Sequence, residues 1–278
     1  MRLAGEVAVV LGSTRGIGQG IAERFAAEAA KVVVTGRTVA DGEKVVAGIV
    51  ERGGEAVFVR TDVGQEDQVR AAIDAAVDRY GGLTVLVNNA AALELTIGAG
   101  LSAGDNEVEL LENEVWEVMQ RNTLTYVFWS CKYAIKHMRR AGYGSIINIS
   151  SMAGVMGLGT HAAYSAAKAG MNGLTRSVAA AYGRHNIRCN SIVVGAVASS
   201  PEAKQAMADP TTGPLLLACQ MLPRAITVEE AGGLACYLAS REAFPITASS
   251  IHLDGGWHAK MNMGRLHDVS WTADQPDS

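Results

Sequence analysis

Short apolar runs alternate along the chain with amphipathic stretches. VAVVLG (7–12), KVVVTG (31–36), AVFVRTDV (56–63), LTVLVNNA (83–90), SIINIS (145–150), IRCNSIVVG (187–195) and SSIHLDGG (249–256) are continuous and rich in β-branched residues. That is the pattern of strands buried on both faces. Between them, Val45, Val46, Ile49 and Val50 recur at helical spacing and stop at Gly53; Val69, Ala72, Ile73, Ala76, Val77 and Tyr80 do the same. Strand–helix alternation repeated about six times predicts an α/β, doubly wound sheet with right-handed crossovers and helices on both faces. Two segments break the rhythm. Residues 92–113 make a long connection after the fourth strand, where function often resides, and 258–278 form a tail ending in TADQPDS. No linker divides 1–257, so one domain is expected.

The 278 residues are 49% apolar and 19% charged, enough to bury a substantial core. No apolar run approaches the ~18 residues of a membrane span, and MRLAGEVAVVLGS lacks the pattern of a secretory signal. A net charge of −4 argues against a nucleic-acid surface. The one basic cluster, Lys132, Lys136, His137, Arg139 and Arg140, reads as a solvated helix end. Cys131, Cys189, Cys219 and Cys236 lack metal-site spacing, and the expectation is reduced, buried thiols in a cytoplasmic protein with no metal.

Chemistry enters with VAVVLGSTRGIGQG. Gly12, Gly16 and Gly18 follow a buried strand and open a helix, so the backbone can approach a pyrophosphate set on the helix N-terminus. An acid at the end of the second strand would hold the ribose of NAD; the chain has Gly36 and Arg37 instead. Arg37, with Arg15 in the glycine loop, suits the extra phosphate of NADP. NADP(H) is therefore favoured, with NAD(H) possible. In HAAYSAAKAG, Tyr164 and Lys168 share one helix face. Taken alone they read equally as a core aromatic and a solvated amine.

Further motifs recur in order: TDV (Asp62, Val63), NNA (Asn88, Asn89, Ala90), RN (Asn122), INISS (Ser151), YSAAK (Tyr164, Lys168) and LDGG (Asp254, Gly255, Gly256). From about residue 3 to 257 the chain resembles the short-chain dehydrogenase/reductase family. The resemblance implies a Rossmann fold of about seven mainly parallel strands. It implies hydride transfer between a nicotinamide and a small-molecule alcohol or ketone, in a homotetramer. Tyr164 would be the general acid/base, its pKa lowered by Lys168. Lys168 would also hold the nicotinamide ribose. Ser151 would hold the substrate oxygen, and Asn122 a water linking Lys168 to solvent. Gly12, Ser13, Thr14, Arg15, Gly16, Ile17 and Gly18 would cradle the cofactor phosphates, and Asp62 and Val63 would lie beside its adenine. Asn89, Ala90, Ala91, Gly195 and Val197 would position it further along.

Four positions depart from the family pattern: Leu11 replaces a Thr, Ala91 a Gly, Val194 a Pro and Ala248 a Gly. The first removes a hydroxyl that would tie the cofactor loop to the fourth strand. The substrate wall is expected from Leu93, Leu95, Met152, Met156 and Leu158, with His161, Met207 and Leu215 to Leu217. This apolar set suits a mainly apolar secondary alcohol or ketone. The runner-up is a 3-oxoacyl-carrier-protein reductase, docking its acidic carrier on the cluster around Arg139 and Arg140. A reading from another class, a cofactor-sensing scaffold, would be expected to lack Ser151, Tyr164 or Lys168.

Overall fold

The computed structural model describes residues 1–95 and 104–260. Residues 96–103 of the expected insert and 261–278 of the expected tail lie outside them. The order is β1 (Val7–Leu11), α1 (Gly16–Ala27), β2 (Lys31–Gly36), α2 (Val39–Glu51), β3 (Glu55–Arg60), α3 (Glu66–Tyr80) and β4 (Val85–Asn88). Then follow α4 (Asn113–Gln120), α5 (Tyr126–Ala141), β5 (Gly144–Ser151), α6 (Ala162–Tyr182) and β6 (Ile187–Val194). The last elements are α7 (Pro201–Ala208), α8 (Thr212–Ala218), α9 (Val228–Ala239) and β7 (Ser250–Leu253).

Among the described residues seven strands form one sheet in the order β3-β2-β1-β4-β5-β6-β7, every pair parallel. Strand alternation sorts the core into two layers. Ala8, Val10, Val32, Val34, Val87 and Ile147 face Ile21 and Phe25 of α1, Ile49 of α2 and Leu238 of α9. Val7, Val9, Leu11, Val33, Leu86 and Ile146 face Val69 and Ile73 of α3, Tyr126 and Met138 of α5, and Met171 of α6. Buried apolar side chains on both faces explain why the strand runs carry no polar alternation.

Three expected strands end early. β3 stops at Arg60, β4 at Asn88 and β7 at Leu253. Each lost end turns out of the sheet on the side where a site can form: Asp62–Val63, Asn89–Ala90 and Asp254–Gly256. The order reverses at β1, so the loops after β1 and β4 diverge and leave a crevice at the carboxyl ends of the strands. A buried polar chain fixes the helices behind it. Ser130 of α5 donates to Asn88 Oδ1 (2.6 Å), Asn88 to Asn148 Oδ1 (2.8 Å), and Asn148 to Thr175 Oγ1 of α6 (2.8 Å).

Candidate active site

The crevice holds a cavity of about 380 Å³ lined by Gly12, Thr14 to Ile17, Gly36, Arg37, Thr61 to Val63, Asn89 to Leu93, Asn122, Ser199 and Ser200. The glycines of the loop beneath it have no room for a side chain. A Cβ on Gly18 would stand 2.1 Å from the Gly12 carbonyl oxygen and 2.5 Å from Asn89 Nδ2. Gly12 has φ +80°, and a Cβ would meet Ala90 at 2.9 Å. The Asn89 amide clamps the loop by donating to the Gly12 carbonyl (2.7 Å). Thr35 Oγ1 accepts from Gly12 N (3.0 Å) and donates to the Val10 carbonyl (3.0 Å), holding the loop from β2. Thr35 carries no motif and escapes sequence reading, yet together with Asn89 it secures a loop that Leu11 cannot.

Ser13 is turned away from the cavity. Its Oγ donates to the Val10 carbonyl (2.7 Å) and accepts from Thr35 N (2.9 Å), and its own N–H donates to the Thr35 carbonyl (2.8 Å). These bonds join β1 to β2 through Ser13. Asp62 accepts from Gly64 N (2.9 Å), which shapes the turn beside Val63. Gly64 packs under Asn122, whose Oδ1 would stand 2.6 Å from a Cβ there. Asn122 lies in a π turn, Arg121–Thr125, between α4 and α5; such turns reroute backbone carbonyls.

Ser151 ends β5 and caps the short turn Met152–Gly154, accepting from Ala153 N (3.2 Å). Its hydroxyl lies close enough to the Tyr164 phenol to draw the Tyr164 pKa downward. One turn on, Lys168 lies beneath the Tyr164 ring, with Nζ 5.5 Å from its centroid and donating to the Ile149 carbonyl. Burial dominates both groups. It pushes the Tyr164 hydroxyl up to about 12, against the lowering pull of Ser151, and pulls the Lys168 amine down to about 7. Desolvation favours the uncharged form of each group, so burial opposes the lowering of Tyr164 that the Lys168 ammonium would bring.

The cavity and the Ser151–Tyr164–Lys168 group are linked through Ala92. Ala92 lines the cavity and packs in one cluster with Met119, Ala163, Leu95, Leu111 and Tyr164. Gly195 fits against Asp254, whose Cα would stand 2.8 Å from an added Cβ. Val197 bridges to Ile226. Ser151, Tyr164, Lys168, Gly18, Gly195 and Val197 lie outside the cavity's lining. Leu93 lines it; Met152 is buried; Met156 and Leu158 are exposed. His161 begins α6, with Nδ1 3.0 Å from Thr160 Oγ1.

The residues fit a nicotinamide dinucleotide: a glycine cradle too tight for any Cβ, a helix N-terminus at Gly16 and two arginines on the cavity wall. Metal-type ligands cluster elsewhere. His252, Asp254 and His258 bring one ligand atom each within 4.8 Å of one another. The Asp254 carboxylate already accepts from Gly256 N, His258 N and His258 Nδ1, at 2.9, 2.9 and 2.7 Å, and so stitches the end of β7.

A family profile described as enoyl-(acyl carrier protein) reductase matches residues 12–258. The chain is 34% identical to a 3beta-hydroxysteroid dehydrogenase of Mediterraneibacter gnavus, covering 91% of this chain and 94% of that one. It is 37% identical to a trans-4-hydroxycyclohexanecarboxylate dehydrogenase of Sinomonas cyclohexanicum, over 94% and 96%. A solved putative short-chain alcohol dehydrogenase from Sinorhizobium meliloti superposes with a TM-score of 0.85 at 31% identity, over 93% and 98%. No helix among the described residues is long and apolar enough to cross a membrane.

Proposed function

The chain belongs to the short-chain dehydrogenase/reductase family, and on that premise we propose that it oxidises an apolar, ring-bearing secondary alcohol, or reduces its ketone, with NADP(H) as the preferred cofactor. The observation that carries the reading is the placement of Ser151 at the end of β5 and of Tyr164 and Lys168 one turn apart on α6, with Lys168 Nζ beneath the Tyr164 ring and anchored to the Ile149 carbonyl of β5. The dinucleotide accepts or donates the hydride at its nicotinamide ring. Tyr164 takes the hydroxyl proton as the carbinol carbon loses its hydride, and returns it in reduction. Ser151 donates to the substrate oxygen and stabilises the charge that develops there. Lys168, whose amine burial draws down to about 7, would hold the nicotinamide ribose beneath Tyr164, and Asn122 in the π turn would hold a water that connects Lys168 to solvent.

Arg15, Arg37 and the absence of a carboxylate at the end of β2 support NADP(H). A ring-bearing substrate is supported by the exposed apolar edge of Val155, Met156, Leu158, Leu215, Leu216 and Leu222, and by the hydroxysteroid and hydroxycyclohexane substrates in the relatives' names. The carrier-protein reading is weakened in part because Lys132 of its basic cluster is paired internally, with Glu66 (2.9 Å). We take the protein to be a cytoplasmic homotetramer. Exposed Trp116, Val118 and Phe128 on α4 and α5 suit that contact. The test is steady-state turnover with NADP⁺ and NAD⁺ on hydroxysteroids, 4-hydroxycyclohexanecarboxylates, sugars and 3-oxoacyl thioesters. Turnover of the cyclic alcohols is expected; exclusive use of sugars or thioesters would overturn the substrate class.

A further inference from the structure

Helix α6 carries Tyr164 and Lys168 but does not cap itself. His161 stands at the N-cap and makes no side-chain cap bond, and the first turn holds no acidic residue. The first backbone N–H groups of a helix lack intrahelical partners and must find others. Here the segment that precedes α4 supplies partners for those of Ala162, Ala163 and Tyr164. Ala162 N–H donates to the Asn106 carbonyl (3.3 Å). Ala163 N–H donates to Asp105 Oδ1 (2.9 Å) and Tyr164 N–H to Asp105 Oδ2 (2.8 Å). Ser165 N–H then makes the first intrahelical bond, to the His161 carbonyl (2.9 Å).

Asp105 is itself held. Its N–H donates to the Leu95 carbonyl (2.8 Å). From the other side, Gln120 Nε2 of α4 donates to the Ala163 carbonyl (2.9 Å). Leu95 and Leu111, which flank Asp105 in sequence, pack in the same cluster as Tyr164. The backbone of Tyr164 is therefore gripped by a carboxylate, while its side chain packs on the same Ala92–Met119–Ala163 cluster as Leu95 and Leu111.

We propose that Asp105 is a positioning residue for the proton-transfer step, its carboxylate docked on the Tyr164 backbone so that the Tyr164 hydroxyl is held in register with Ser151. A carboxylate bound to two N–H groups at a helix start is oriented by both bonds and by the helix dipole. Misplacing a reacting group by about 1 Å costs up to about a hundredfold in rate. The same contact makes the segment before α4 part of the proton-transfer apparatus as well as part of the substrate wall. The inference rests on the reading of Tyr164 as the proton-transfer group.

The test compares wild type, Asp105→Ala and Asp105→Asn, the last keeping one acceptor oxygen. Five quantities are measured: kcat and KM for a cyclic alcohol, the primary deuterium isotope effect on kcat, the Kd of NADPH by fluorescence, and amide exchange at Tyr164. Expected for Asp105→Ala are a kcat about tenfold lower, a larger isotope effect, and KM and Kd within about twofold of wild type. Asp105→Asn should fall between, and the Tyr164 amide should exchange faster in the Ala variant. An unchanged kcat and isotope effect would overturn the proposal. So would parallel losses of kcat, NADPH binding and melting temperature, which mark a purely structural cap. A wild type that binds NADPH but turns over no alcohol or ketone would strike instead at the proposed function; the Tyr164 amide exchange would then decide this inference, unchanged exchange overturning it.

Discussion

Lys168 donates through Nζ to the carbonyl oxygen of Ile149 at 2.6 Å, with only 2% of the lysine exposed. One hydrogen bond does not replace the hydration of an ammonium, so burial pulls the amine to about 7. In the unfolded chain it titrates near 10.5. Below pH 7 both states hold the proton, and the folded state bears the full burial cost. Between pH 7 and 10.5 the unfolded chain binds more protons, so the cost is relieved as pH rises. Lys168→Met should therefore melt above wild type at pH 6, by about 5 °C or more, with the gap closing toward pH 10. Thermal unfolding across that range checks this. A Met variant that melts lower at every pH would show that the Ile149 bond outweighs burial.

Tyr164→Phe should lower kcat by about a thousandfold while leaving NADPH fluorescence titrations unchanged, since only a hydroxyl is removed. Ser151→Ala should act in a second way. Ser151 pulls the Tyr164 pKa down against burial, and oxidation needs the phenolate. The rise of the oxidation rate with pH should move to higher pH when the Ser151 hydroxyl is lost. A Ser151→Ala profile that keeps its wild-type midpoint would disprove the coupling.

The layering of the sheet is legible in the chain because strands buried on both faces must be apolar throughout, and Tyr164, Lys168 and Ser151 are legible because their spacing is fixed by one helix and one strand end. Asp105 and Thr35 are not. Their partners are backbone groups 58 and 25 residues away for Ala163 and Val10, and a carboxylate that caps a remote helix has no local spacing to betray it. The titration of Tyr164 is less legible for a related reason. Sequence places a cation one turn away, but only the packed structure shows that the pair is buried and that desolvation works against the charge of each. Leu11 makes the same point from the other side, since a hydroxyl missing from β1 is replaced by Thr35 of β2, which is its neighbour only in the folded sheet.

Arg37 sits beside Gly36 on the wall of the cavity where β2 ends. Guanidinium there favours a phosphate over a hydroxyl. Arg37→Ala should raise KM for NADP(H) about tenfold while changing KM for NAD(H) less than twofold; an acidic replacement should invert the preference. Measuring kcat/KM for both cofactors in each variant decides it. Equal losses for the two cofactors would assign Arg37 to the fold instead of the phosphate.

Gly18 offers the sharpest steric test of the cradle. Replacement by Ala would drive a methyl to 2.1 Å from the Gly12 carbonyl oxygen and 2.5 Å from Asn89 Nδ2. Neither neighbour can yield cheaply, because one is backbone and the other is the amide that clamps the loop to β4. The loop must therefore lift off β4, which should cost about 1–3 kcal/mol of stability and weaken NADPH binding at least about tenfold through misaligned phosphate donors. Gly82→Ala is the control, since nothing lies within 4 Å of its added Cβ; it should leave both melting temperature and NADPH affinity at wild-type values. Chemical denaturation and fluorescence titration of the two variants separate the outcomes. A Gly18→Ala protein that binds NADPH normally would mean that the cofactor does not rest on this loop.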